Sequence, residues 1–187
     1  MRASRVPDFL KTGGWVLAEI LENIVAFVSA NAGYAPLVVG LLAFVESLAI
    51  ISLFVPATMT LLAIGALVAA SGIEFWIVWL AGTIGAICGD MLSYAIGRRY
   101  DGATLRIWPL SRYPNLVERA QTGLRQHGAW WLFAGKFFAP TRTIGPLLAG
   151  VSGMPLPLFK AVTFAVAMVW VFVLLAPGAL IVTLIAD

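Results

Sequence analysis

Four ionisable side chains stand inside apolar sequence, where a charge is costly: Glu46, Asp90, Lys136 and Arg142. Insertion scales put one such charge at about 2.5–3.5 kcal/mol at the centre of a spanning helix. An arginine grips an oxyanion through two parallel hydrogen bonds, and a lysine acts on it as a point charge. Glu46 would balance both cations while the site is empty. If protonated by burial, it could couple a proton to the movement of an anion. The expected arrangement is a polar cavity on which Glu46, Lys136 and Arg142 converge. Asp90 and Tyr94, four residues apart on one helix face, are candidates to line it. Asp90 also has a plainer reading, paired with Arg98 two turns further on. Glu46 as an acid reaching out to water from a helix end is disfavoured, because it lies centrally in the apolar run 37–54.

The elements that must position these groups are short. Residues 133–155, FAGKFFAPTRTIGPLLAGVSGMP, are apolar on both sides of Lys136, Pro140, Arg142 and Pro146. The arm 130–139 has ten residues and the arm 144–151 has eight. A helix needs about 20 residues to cross the hydrocarbon core. A re-entrant hairpin is therefore expected, with Pro140-Thr141-Arg142 at its tip. Broken backbone and cations persist at membrane depth only when buried in protein or facing a watery cavity. A soluble loop beside a buried helix is the competing reading. The run 37–54 is broken the same way at Val55-Pro56-Ala57-Thr58, since proline lacks a donor and clashes with the preceding turn. Residues 57–70 are again too few to cross, which predicts a first hairpin.

Composition decides the setting. The 187 residues are 61% hydrophobic and 11% charged, with a mean hydropathy of +0.95. Soluble domains carry about 25% charged residues. This is the profile of a single all-α, polytopic membrane domain over residues 1–187. A net charge of +3 is too small and too scattered for a nucleic-acid partner. Cys88 is the single cysteine and His127 the single histidine, so a disulfide within the chain and a cysteine or histidine metal cluster are excluded. No metal or other cofactor is expected.

Residues 1–33 are read as an N-terminal helix, spanning obliquely or lying in the interface. Residues 34–97 hold the first hairpin and a full span, 75–96. Gly82, Gly85, Ala86 and Gly89 give that span a small-residue face for close packing. Residues 98–128 carry Arg98, Arg99, Arg106, Arg112, Arg119 and Arg125 against Asp101 and Glu118, which makes the loop cytoplasmic by the positive-inside rule. Asn115-Leu116-Val117-Glu118 resembles a capping box, and Leu116, Ala120 and Leu124 would line one face of a surface helix. Residues 129–187 hold the second hairpin and the span 161–186, with a kink expected at Pro177-Gly178. Phe54-Val55-Pro56-Ala57-Thr58 aligns with Phe138-Ala139-Pro140-Thr141-Arg142, and Leu62-Ala63-Ile64-Gly65 echoes Leu147-Leu148-Ala149-Gly150. The layout is an inverted repeat of hairpin plus helix, the plan of secondary transporters with a site at the repeat interface.

A glutamate before a proline break, then GDMLSYAIGRR (89–99), then GKFFAPTRTIGPLLAGVSGM (135–154), resembles the DedA family, also called the VTT or SNARE-associated domain family. The resemblance covers about residues 34–170. It implies two opposed re-entrant hairpins. It also implies translocation of undecaprenyl phosphate or phospholipids across the bacterial inner membrane, with a link to the proton motive force. Glu46 matches the family's acid in the first hairpin, and Arg142 its second arginine. Lys136 stands where the family usually has arginine, which keeps the charge and loses bidentate geometry. Many members have Pro-Gly and an acid after the first break; here Pro56-Ala57-Thr58 lacks that carboxylate.

The reading that results is a non-enzymatic transporter for a membrane lipid with a phosphate headgroup, working as a flippase or scramblase. Glu46, Lys136, Arg142 and Asp90 would bind substrate or proton. A homo-oligomer stays open. The runner-up is a proton-coupled small-ion transporter using the same charges. A lipid phosphatase usually needs a nucleophile or a histidine pair, and the single histidine argues against it; a CDP-alcohol transferase needs a carboxylate cluster, which Asp90 and Asp101 alone do not make.

Overall fold

A computed structural model describes residues 19–20, 22–48, 58–70, 73–100, 114–137 and 139–186. Every regular element among them is helical: α1 (Glu22–Ala30), α2 (Ala35–Ser47), α3 (Thr58–Ala70), α4 (Phe75–Tyr100), α5 (Pro114–His127), α6 (Ala129–Gly135), α7 (Ala139–Val151) and α8 (Leu156–Ala186). A single 3-10 turn, Ala32–Tyr34, joins α1 to α2. Two helices are long and apolar enough to cross a membrane, α4 over Phe75–Tyr100 and α8 over Leu156–Pro177. α2, α3 and α7 have 13 residues each, about 20 Å against a core of about 30 Å. None of them crosses alone. α1 and the segment that continues into α2 meet at a bend of 118° after Asn31.

The helices pack in a crossed pattern. α4 lies along α2 with its first half and along α7 with its second, while α3 lies against α8. Backbone contact makes these approaches close. A β-carbon on Gly65 would stand 2.6 Å from the Leu175 carbonyl oxygen of α8. One on Gly150 would overlap the Tyr94 carbonyl of α4. The apolar core gathers Val39 and Ala43 of α2, Leu61 and Ile64 of α3, Ala86 of α4 and Leu175 of α8. Burial among helices, not water-versus-lipid partition, gives these contacts their value in a membrane, through packing and dispersion.

At the other end of α4, Tyr94 stacks on Phe159 with centroids 4.3 Å apart. Its hydroxyl donates to the Met154 carbonyl at 2.6 Å and accepts from Arg98 at 2.9 Å. The α7–α8 turn is shaped for this. Gly153, at φ +70°, donates to Gly150, and Met154 donates to Ala149, a Schellman ending that only a left-handed residue allows cheaply.

Several expected boundaries move. The break in the second hairpin falls at Lys136 and Phe137, not at Pro140-Thr141-Arg142, which belong to the opening of α7. A proline in a first turn removes a donor that had no intrahelical acceptor, so Pro140 starts the helix instead of breaking it. The run 37–54 is not one arm: α2 ends at Ser47, and Leu48 is extended with ψ 117°. Glu46 is therefore at a helix end, yet 1% exposed. Asn115 lies inside α5, so the capping box is not formed there. The buried face of α5 carries Val117 and Leu124, seven residues apart and docked on α6 and α7. The Val55-Pro56-Ala57 break and residues 101–113 of the 98–128 loop lie outside the described residues.

Candidate functional site

The four charges found in apolar sequence come together in two ion pairs. Lys136 follows the last residue of α6, and its side chain turns inward, 5% exposed. Its ammonium donates to both carboxylate oxygens of Asp90, at 2.7 and 2.5 Å. Asp90 sits within the spanning helix α4 and is 2% exposed. Lys136 also reaches the Ser47 hydroxyl at 3.4 Å, and the Ser93 hydroxyl donates to the Ser47 carbonyl at 3.2 Å. The end of α2 is thus tied to α4 and to the α6–α7 break by polar contacts as well as by its packing on Gly89.

Arg142 makes the second pair, donating from Nη2 to Glu46 Oε1 at 2.8 Å. Both partners occupy the helix end that disfavours them. Glu46 is the penultimate residue of α2, where the dipole is negative, and Arg142 is in the first turn of α7, where it is positive. Neither placement would be stable by itself. Removing one member of such a buried pair typically costs about 3–5 kcal/mol, because the other is left as an uncompensated charge.

Trp170 of α8 completes the arrangement. Its ring centroid is 5.4 Å from the Lys136 ammonium and 5.4 Å from the Arg142 guanidinium carbon. Beside the pairs lies a cavity of about 20 Å³, lined by Asp90, Lys136, Arg142, Trp131 and Thr163 among others. A single water needs about 10–15 Å³ on that measure, so the space admits a water and not a phosphate. In this conformation the cations are occupied by carboxylates.

Expectation and geometry differ in the pairing. Glu46 does not balance both cations: it meets Arg142, while Asp90 meets Lys136. Asp90 does not pair with Arg98, whose guanidinium is held by Tyr94 and the Met154 carbonyl at the far end of the helix. Tyr94 points to that clasp and does not line the cavity. Ser47, Thr163 and Trp170 have no counterpart in the sequence reading. Two are small hydroxyls in apolar runs, which helices tolerate singly. Trp170 is one aromatic residue in a span rich in them; only its position opposite the cations distinguishes it. Among the described residues no group of three or more His, Cys, Asp or Glu side chains could hold a metal ion.

Comparison with known proteins adds to this geometry. A model of the VTT domain matches residues 55–180. The inner membrane protein YabI of Escherichia coli K12 is 32% identical over 154 residues, 82% of this chain and 61% of its own length. The inner membrane protein YohD of the same organism is 33% identical over 147 residues, 78% of this chain and 69% of YohD. An uncharacterized membrane protein of Buchnera aphidicola is 29% identical over 155 residues, and the chain spans 60% of it. The chain thus spans about three fifths of YabI and of the Buchnera protein. No solved structure matches it.

Proposed function

The chain belongs to the VTT-domain (DedA) family of membrane proteins, and from that premise we propose that it carries lipids with a phosphate headgroup across a bacterial inner membrane. The observation that carries this reading is the placement of Lys136, buried, and Arg142, partly buried, each paired with a buried carboxylate from a different helix. A phosphate entering low dielectric needs cations, because a lone anion there is very costly. On this reading a phosphate would displace the two carboxylates from the cations. Arg142 would take it bidentately and Lys136 as a point charge. The start of α7, with its positive dipole end, adds a favourable field for an anion. Uptake of a proton by Glu46 or Asp90 as the cation leaves would couple the exchange to protons. The lipid chains would stay in the bilayer while the headgroup crosses. No chemical step is proposed, and the chain is read as a transporter and not an enzyme.

We read α2 with α3, and α6 with α7, as two re-entrant hairpins, each followed by a span. Their short lengths support this. So does the exchange of partners: α3 packs on the span of the second unit, and α7 on the span of the first. Gly65 and Gly150, aligned by their local sequences, make the corresponding close approaches to those spans. Opposed hairpins would put residues 98–128 in the cytoplasm.

A second reading rests on the cavity, whose roughly 20 Å³ suits a small ion or water better than a phosphate. A proton-coupled small-ion transporter would use the same four charges. Purified protein in vesicles separates the two readings. Headgroup translocation of a labelled phospholipid or polyprenyl phosphate supports the first; ion or proton flux without lipid movement replaces it by the second.

A further inference from the structure

The two ion pairs are built from different helices, and each could be broken without the other. Trp170 is what they share. Among the described residues it is the one ring that lies against both cations, at 5.4 Å from each. It is 3% exposed and fixed in the apolar core with Ala167 and Val171 of its own helix. The indole face carries the most negative quadrupole of the aromatic side chains, and a cation against it in a dry site gains more than at a surface. Unlike a carboxylate, an indole cannot be neutralised by a proton and cannot leave with one. Its attraction persists through any exchange of partners at the cations.

We propose that Trp170 is a positioning residue of the anion site, holding the Lys136 ammonium and the Arg142 guanidinium in place while their carboxylates give way to a ligand phosphate. The proposal rests on the lipid-phosphate reading for its ligand, and on contact geometry alone for the role of the ring. The ring fixes the cations from the α8 side, whereas Glu46 and Asp90 approach from α2 and α4. The carboxylates can be displaced or protonated, whereas the ring stays beside both cations. With Trp170 in place, Lys136 and Arg142 stay near one ring face and are presented together to an incoming oxyanion.

The test weakens the face of the ring without changing its size. Tryptophans with increasing fluorine content are incorporated at position 170 in the full chain, with Trp170→Phe and Trp170→Leu as further variants. Labelling of Lys136 by an amine-reactive acetylating reagent is read by mass spectrometry at one fixed pH, with exposed Lys160 as the internal reference. Asp90 and the Ser47 hydroxyl, which also face the ammonium, are unchanged throughout. A weaker cation–π contact holds the ammonium less firmly against the ring, so relative labelling of Lys136 should rise stepwise with fluorination, by roughly five-fold or more over the series. The melting temperature should stay level across that series, since shape and packing are kept. Labelling that stays flat while the fluorine content rises overturns the proposal, and so does a rise of equal size at Lys160. Trp170→Leu alone could act through lost packing, and for that reason the fluorinated series decides. Headgroup translocation measured on the same proteins is a separate arm. Its stepwise fall with the labelling series supports the full role. Absence of translocation in the unsubstituted protein retires the lipid reading, while the labelling still decides whether Trp170 holds the cations.

Discussion

Arg142 and Glu46, 96 positions apart in the chain, meet at 2.8 Å, each at the helix end whose dipole repels it. A local rule broken twice in one contact marks a place where the chain gives up stability for another purpose. The neighbouring Lys136–Asp90 pair repeats the device between the α6–α7 break and α4.

Arg142→Ala should lower stability by about 3–5 kcal/mol, since Glu46 keeps a buried charge. The combined Glu46→Gln, Arg142→Met variant should regain most of that loss. Denaturation in detergent of Arg142→Met, Glu46→Gln and the double variant measures the coupling. Simple addition of the two single losses would mean that the pair does not act as a unit.

Lys136→Met should be comparably damaging and Lys136→Arg mild, because a guanidinium can still answer both Asp90 oxygens that the ammonium now contacts. Asp90→Asn in the Lys136→Met background should recover stability. Expression level and melting temperature of the purified variants report this; equal damage from methionine and arginine would argue against a charge role for Lys136.

Gly65→Leu and Gly150→Leu should each separate a short helix from the long helix it crosses, Gly65 from α8 and Gly150 from α4. Overpacking at a backbone contact typically costs about 1–3 kcal/mol, and here the nearest atom is a backbone carbonyl oxygen that cannot swing aside. Thermal melts that leave either variant unchanged would remove the close approach on which the paired-unit reading leans.

In a chain with Cys88 replaced by serine, a cysteine at Arg106 or Gln121 should be labelled by a membrane-impermeant thiol reagent only from the cytoplasmic side. One at Gly72 should be labelled only from the opposite side. Labelling of both regions from one face would defeat the opposed hairpins.

What the sequence made legible follows from cost. Charges in apolar runs are expensive enough that Glu46, Asp90, Lys136 and Arg142 could be singled out before any pairing was known. Which acid meets which base was not legible, because it depends on how α4 turns Asp90 toward Lys136 and leaves Arg98 to Tyr94. Proline misled at position 140, where it opens a helix, and the end of α2 at Ser47 carries neither proline nor glycine to announce it. Trp170 gains its meaning from the two cations that lie against it and Thr163 from the cavity it lines, which local pattern does not encode. The Gly65 and Gly150 echo was read only as a sign of a repeat; that both glycines lie where backbones meet became visible with the packing.

The central claim is that the buried cations carry a lipid phosphate. The measurement is headgroup translocation of a labelled phosphate lipid in proteoliposomes holding purified protein, with Arg142→Ala and Arg142→Lys reconstituted at equal folded amounts. Translocation by the unsubstituted protein well above empty vesicles is expected, with none for Arg142→Ala and a reduced rate for Arg142→Lys. Translocation by Arg142→Ala at the unsubstituted rate would contradict the account.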